Sequence, residues 1–94
     1  MLTHVTDLAH AYKRQMLDFC QRLIRVPSLS GEERGVADLY LAEMTKLGYD
    51  DVFRDAWGNV VGIVRGGATG PTIMFNGHLD HVDTGDPSQW GGYD

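Results

Sequence analysis

Two histidines and two aspartates crowd into the six residues His78, Leu79, Asp80, His81, Val82 and Asp83, directly after the apolar run Thr72-Ile73-Met74-Phe75. Imidazole and carboxylate groups this close together can bind a metal, move a proton or hold one another in place. In an extended chain, residues two apart project from the same face, so His78 and Asp80 point one way and His81 and Asp83 the other. An imidazole that ligates a metal through one nitrogen works best when the other donates to a carboxylate, which fixes its tautomer and raises the basicity of the ligating atom. His78 as metal ligand and Asp80 as its orienting partner have the types and spacing for this. Gly77 lacks a side chain that would keep backbone or substrate away from the strand end. The same spacing also fits a solvated turn pair. His81 and Asp83 fit supporting or solvent-exposed positions, and His4 and His10, with no partner at ligand spacing, read as surface residues.

Such a segment needs a scaffold. Leu8, Tyr12, Met16, Phe19 and Leu23 recur at helical spacing and predict an amphipathic helix over residues 7–25, capped by Thr6 or Asp7 and stopped by Pro27. Ser30-Gly31-Glu32-Glu33 has the form of a capping box. It predicts a second helix over residues 31–47, with Val36, Tyr40, Met44 and Leu47 on its stripe and Gly48 in a left-handed C-terminal cap. Val52-Phe53, the turn Trp57-Gly58-Asn59 and Val60-Val61-Gly62-Ile63-Val64 predict a β-hairpin with strands near residues 51–56 and 60–65. Thr72 to Phe75 predict a third strand, residues 72–77, buried on both faces. The expected class is α/β, two helices packed on a mixed sheet, with the histidine cluster at a strand end where such sheets commonly bind ligands. The tyrosines and methionines on the helical stripes are expected in the core.

Composition narrows the function. The 94 residues carry 43% hydrophobic and 22% charged side chains, within the range of folded soluble domains. The formal charge of −5 and the absence of a Lys/Arg cluster argue against a nucleic-acid partner. No run approaches the length of a membrane span and the N-terminus lacks a signal-peptide pattern, so the expectation is a cytoplasmic protein with no membrane partner. Cys20, the single cysteine, has no internal disulfide partner and is expected as a buried structural thiol beside Phe19.

Gly77-His78-Leu79-Asp80-His81-Val82, followed by Gly85-Asp86 and Trp90, resembles the Gly-His-x-Asp-x-Val motif of the co-catalytic zinc metallopeptidases. These include acetylornithine deacetylase, succinyl-diaminopimelate desuccinylase, aminoacylase and carboxypeptidase G. Weaker matches are the leader Leu23 to Glu33, with Val26-Pro27-Ser28-Leu29-Ser30-Gly31 at its centre, and Gly58-Asn59. The resemblance implies that His78 ligates one of two zinc ions, with cobalt or manganese able to substitute, and that Asp80 is the catalytic-site aspartate that orients it. It further implies that residues 1–94 are the N-terminal portion of one α/β metallohydrolase catalytic domain, the other ligands and the general base lying beyond Asp94. The implied reaction is amide hydrolysis of a small-molecule N-acyl amino acid or peptide substrate, and a homo-oligomer is compatible with it. Asp83, where many members have proline, and His81 depart from the pattern without touching the ligand positions.

A metallo-β-lactamase-type site would need His-x-His-x-Asp-His, and Asn76 stands where its first histidine would be. The alternative from another class is a non-catalytic α/β interaction module or pseudo-enzyme remnant.

Overall fold

In the structure, a computed structural model, residues 2–92 are described. Helix α1 spans Leu2–Ala11 and α2 spans Lys13–Arg25. Between them Tyr12 flattens to φ −95°, ψ 1°. The backbone ladder nevertheless runs through it, Tyr12 N donating to Leu8 O and Met16 N to Tyr12 O, each at 3.0 Å. The predicted helix thus starts earlier than expected, and Thr6 and Asp7 lie inside α1 rather than capping it. No proline or glycine in residues 2–7 interrupts helical geometry there. At the other end Pro27 acts as anticipated: Val26 turns extended at φ −96°, ψ 122° and the helix stops at Arg25.

Helix α3 spans Arg34–Lys46. The expected capping box does not form. Glu33 occupies the N-cap without a side-chain bond, and its carboxylate accepts instead from Gly31 N at 2.8 Å. Ser30 is engaged elsewhere, as described below. The C-terminal end follows the prediction, with Gly48 at φ +82°. Its amide donates to Thr45 O and that of Tyr49 to Met44 O, both at 3.1 Å, which satisfies two carbonyls the helix leaves open.

Strands β1, Asp51–Arg54, and β2, Val60–Ile63, pair antiparallel with Asp51 opposite Ile63 and Arg54 opposite Val60. The turn between them is built on Asp55. Its Oδ1 accepts from Trp57 N and Asn59 N, each at 2.9 Å, and Oδ2 accepts from Asn59 Nδ2 at 2.8 Å. Those bonds, the Asn59 side chain foremost, hold the Asp55 carboxyl below its ordinary value of 3.8. Gly58 completes the turn at φ +90°.

Helix α3 lies across both strands, and Val36 and Ala37, each 2% exposed, form the apolar core. Contact is closest at Gly62, where an added Cβ would stand 2.6 Å from Met44 Sδ and 2.7 Å from a Tyr49 ring carbon. Helix α2 meets α3 edge to face through Phe19 and Tyr40, ring centroids 5.4 Å apart, while Arg22 reaches Glu43 at 3.2 Å. Tyr12 and Met16, expected in the core, are 49% and 53% exposed, because only the C-terminal part of the α2 stripe has α3 to pack on. Cys20 is exposed rather than buried, lying off the face that Phe19 presents to α3.

The α/β class stands, but its sheet is a two-stranded antiparallel hairpin rather than a mixed sheet. The expected third strand, residues 72–77, does not form. Thr72 to Phe75 lie outside any sheet, with Ile73, Met74 and Phe75 exposed at 78%, 82% and 93%. A strand meant for burial on both faces needs neighbours on its edges and covering layers, and among the described residues none is placed to supply them. The radius of gyration of 16.0 Å accordingly exceeds the roughly 12 Å of a compact chain this long.

Two outcomes follow for the hairpin. Gly62→Ala overpacks the α3 contact and is expected to destabilise the chain by about 1–3 kcal/mol in urea titrations. Because the Asp55 pKa is depressed on folding, its contribution is complete above the unfolded value of 3.8 and is lost as pH falls through the lower folded value. Acid titration followed by circular dichroism should therefore show a weaker acid-limb transition for Asp55→Ala than for the wild type.

Candidate functional site

Residues 26–33 link α2 to α3, and it is against the first part of this leader that the histidine cluster is fastened. Ser28 is 0% exposed. Its hydroxyl donates to Leu79 O at 2.9 Å, and its carbonyl accepts from His81 N at 2.7 Å. These two bonds grip the backbone on both sides of Asp80. Two residues further on, in a turn closed by Glu32 N donating to Leu29 O at 2.8 Å, Ser30 Oγ donates to Asp80 Oδ2 at 2.6 Å. Val26 anchors the leader to α3 where Gly35 leaves room: a Cβ there would meet Val26 Cγ1 at 2.8 Å.

The His78 ring lies beside Asp80. Its Nδ1 is 2.7 Å from Asp80 O and 3.1 Å from Asp80 Oδ1. A carbonyl and a carboxylate can only accept, so Nδ1 carries the proton and Nε2 is the atom left for another partner. The His78 side chain is 83% exposed, whereas that of Asp80 is 38% exposed with both carboxylate oxygens engaged. The Ser30 hydroxyl, followed by the His78 ring, holds the Asp80 carboxyl below its ordinary value of 3.8 against the opposing effect of partial desolvation.

His81 turns to the leader instead. Its Nε2 lies 2.9 Å from Val26 O and its Nδ1 3.1 Å from Val82 O, and the first of these contacts places it with the anchoring contacts and apart from His78. Asp83 Oδ1 accepts from Gly85 N at 3.2 Å in a local turn. Gly85, at φ +71°, then leads into a 3₁₀ turn, Pro87–Gln89, capped by Asp86 Oδ1 accepting from Ser88 N at 3.0 Å. Trp90 closes it by donating Nε1–H to Thr84 O at 3.2 Å. Gly85, Asp86 and Trp90 are therefore the frame of one folded loop. His4 and His10 are exposed.

The donor set suits a single imidazole ligand, with Nδ1 held by the Asp80 carbonyl and carboxylate and Nε2 left free of them on a largely exposed ring. Among the described residues no group of three or more His, Cys, Asp or Glu side chains is placed to hold a metal ion. Nor is any helix among them long and apolar enough to cross a membrane. Sequence reasoning missed the role of Ser28 and Ser30. The sequence around Ser30 has the form of a helix cap, and no local pattern reports a bond to a residue 50 positions away.

Comparison with known proteins finds relatives along nearly the whole chain. It is 31% identical to a succinyl-diaminopimelate desuccinylase of Psychrobacter arcticus, over 95% of this chain and 24% of that protein. It is 30% identical to uncharacterized protein YgeY of Escherichia coli K12, over 92% of this chain and 21% of that protein. The chain thus spans between a fifth and a quarter of the length of these curated relatives. No protein-family model and no solved structure matches it.

The leader contact is open to direct measurement. Ser28→Ala leaves the partly buried Leu79 carbonyl without its donor and should cost about 0.5–1.5 kcal/mol. Amide hydrogen exchange should locate the loss, with His81 N–H exchanging roughly 10-fold faster for each 1.4 kcal/mol of local stability removed.

Proposed function

We propose that this chain is the N-terminal part of a zinc-dependent hydrolase that cleaves the amide bond of an N-acyl amino acid or a small peptide. The observation that carries this reading is the His78–Asp80 pair: Nδ1 is committed to Asp80, and Nε2 is left as an outward-facing donor on a largely exposed ring. Similarity to the desuccinylase supports the hydrolase class. His78 would hold a zinc ion through Nε2. Asp80, through its carbonyl and its carboxylate, would keep the ring in the Nδ1-protonated form and raise its donor strength, its two carboxylate oxygens facing His78 and Ser30. When bound, zinc supplies Lewis acidity, polarising a substrate carbonyl and acidifying a water.

A catalytic zinc takes about three protein ligands and keeps an open position, so one imidazole backed by a carboxylate is a partial site. The remaining ligands and the base would come from residues outside this chain. On this reading the 94-residue chain alone neither retains stoichiometric zinc nor turns over substrate.

The test uses the protein encoded by the complete reading frame, assayed for bound zinc by elemental analysis and for hydrolysis of N-acyl amino acids. His78→Ala should abolish both zinc retention at this site and turnover. Asp80→Asn, which keeps the shape but loses the charge, should lower metal affinity or activity by roughly 10- to 100-fold. Unchanged zinc content and turnover in both variants would exclude the site. A reading frame that ends at Asp94, with no zinc binding, would favour the non-catalytic module instead.

A further inference from the structure

We propose that Ser30 is a positioning residue of this site: its hydroxyl, donated to Asp80 Oδ2, sets the plane of the carboxylate in which Oδ1 meets the Nδ1 proton of His78. The inference rests on the reading of His78 and Asp80 as a working pair, and extends it to a residue 50 positions away in the leader.

Asp80 cannot hold that orientation unaided. Rotation about the bond to an aspartate carboxylate is broad and roughly two-fold, so the side chain has no strong intrinsic preference for the plane it adopts here. The attraction between His78 and Asp80 is weak help, because side chains 83% and 38% exposed interact in a strongly screened medium. His78 Nδ1 also has a competing acceptor in Asp80 O, at 2.7 Å against 3.1 Å to Oδ1. What distinguishes the observed arrangement is that Oδ2 is tied to a hydroxyl whose own place is fixed. Ser28, two residues before Ser30, is fully buried and bonded to residues 79 and 81. Directly after Ser30, Gly31 turns the leader away at φ +86° with its amide on Glu33.

Ser30 therefore stands at a defined point beside Asp80, and its bond of 2.6 Å is a short, charge-assisted one. The competing role for this serine, capping α3, is ruled out by geometry, since its hydroxyl serves Asp80 and the α3 N-cap has no side-chain bond.

The test reads the His78 ring directly. Long-range ¹⁵N–¹H correlation spectra of the ¹⁵N-histidine-labelled chain report which ring nitrogen bears the proton. They are recorded at about pH 8.5, two units above the ordinary histidine value of about 6.5, for wild type, Ser30→Ala, Ser30→Thr and Asp80→Asn. Wild type should show His78 protonated at Nδ1. Because Asp80 O also accepts from Nδ1, the tautomer should persist in Ser30→Ala while the ring ¹⁵N and ¹H shifts of His78 move toward those of Asp80→Asn with unchanged far-ultraviolet circular dichroism, and Ser30→Thr, which keeps the hydroxyl, should restore the wild-type shifts. In the full-length protein Ser30→Ala should also weaken zinc affinity by about 10-fold, the lower end of the range for partners behind a ligand.

A Ser30→Ala ring indistinguishable from wild type, beside a disturbed one in Asp80→Asn, overturns the proposal and leaves the His78–Asp80 pair standing. If Asp80→Asn is also silent, the proposal falls together with that pair. A Ser30-dependent ring in a full-length protein that binds no zinc upholds the positioning and refutes the zinc hydrolase.

Discussion

A buried serine in the leader fixes the second half of the chain to the first. Ser28 is the only polar residue among those described that is fully removed from solvent, and burial of a hydroxyl is tolerated only when its hydrogen bonds are made. Its hydroxyl and its carbonyl meet the backbone at residues 79 and 81, so it acts as a two-point clamp rather than as a filler of space. Residues 66–80 make no backbone hydrogen bond to either strand. Beside that clamp, the hydrogen bonds between the segment after the hairpin and the leader among the described residues are those of the His81 and Ser30 side chains. The clamp itself depends on α3, since Val26 fits against the bare backbone at Gly35. A line of contact therefore runs from the α3 backbone through Val26 and Ser28 to Leu79, Asp80 and His81.

The elements whose signals are local were legible in the sequence. Pro27 ends α2 because it restricts its own predecessor, and Gly48 ends α3 because only a residue at ease with positive φ closes that turn. The hairpin was readable from Trp57-Gly58-Asn59, although the organising residue is Asp55, whose carboxylate gathers three donors. What failed were inferences that needed to know what lies alongside. The run Ile73-Met74-Phe75 has the character of a central strand, but character does not supply a hydrogen-bonding neighbour. Tyr12 and Met16 sit on a correct helical stripe that extends past the part α3 covers.

The same distinction governs the site. His78 and Asp80 could be singled out from side-chain chemistry at a spacing of two. Ser30 could not, because its four-residue context fits a capping box equally well, and what decides between cap and carboxylate is where the chain returns 50 residues later. His81 shows the complement: adjacent to Asp80 and of the same type as His78, it nonetheless belongs to the anchoring contacts through Val26 O.

Exposure decides which of these interactions sets the geometry. An ion pair or hydrogen bond between side chains as open to water as His78 and Asp80 contributes little by itself, because water and salt screen it and two side chains must be ordered to make it. The backbone at 79 and 81 is half-buried and held by the fully buried Ser28, and those bonds keep more of their strength. The order of causation therefore runs outward from Ser28: the buried clamp places the Asp80 backbone, the Ser30 hydroxyl turns its carboxylate, and the carboxylate then presents one oxygen to His78. With one carboxylate oxygen on Ser30 and the other 3.1 Å from His78 Nδ1, the ring nitrogen that Asp80 leaves free is His78 Nε2.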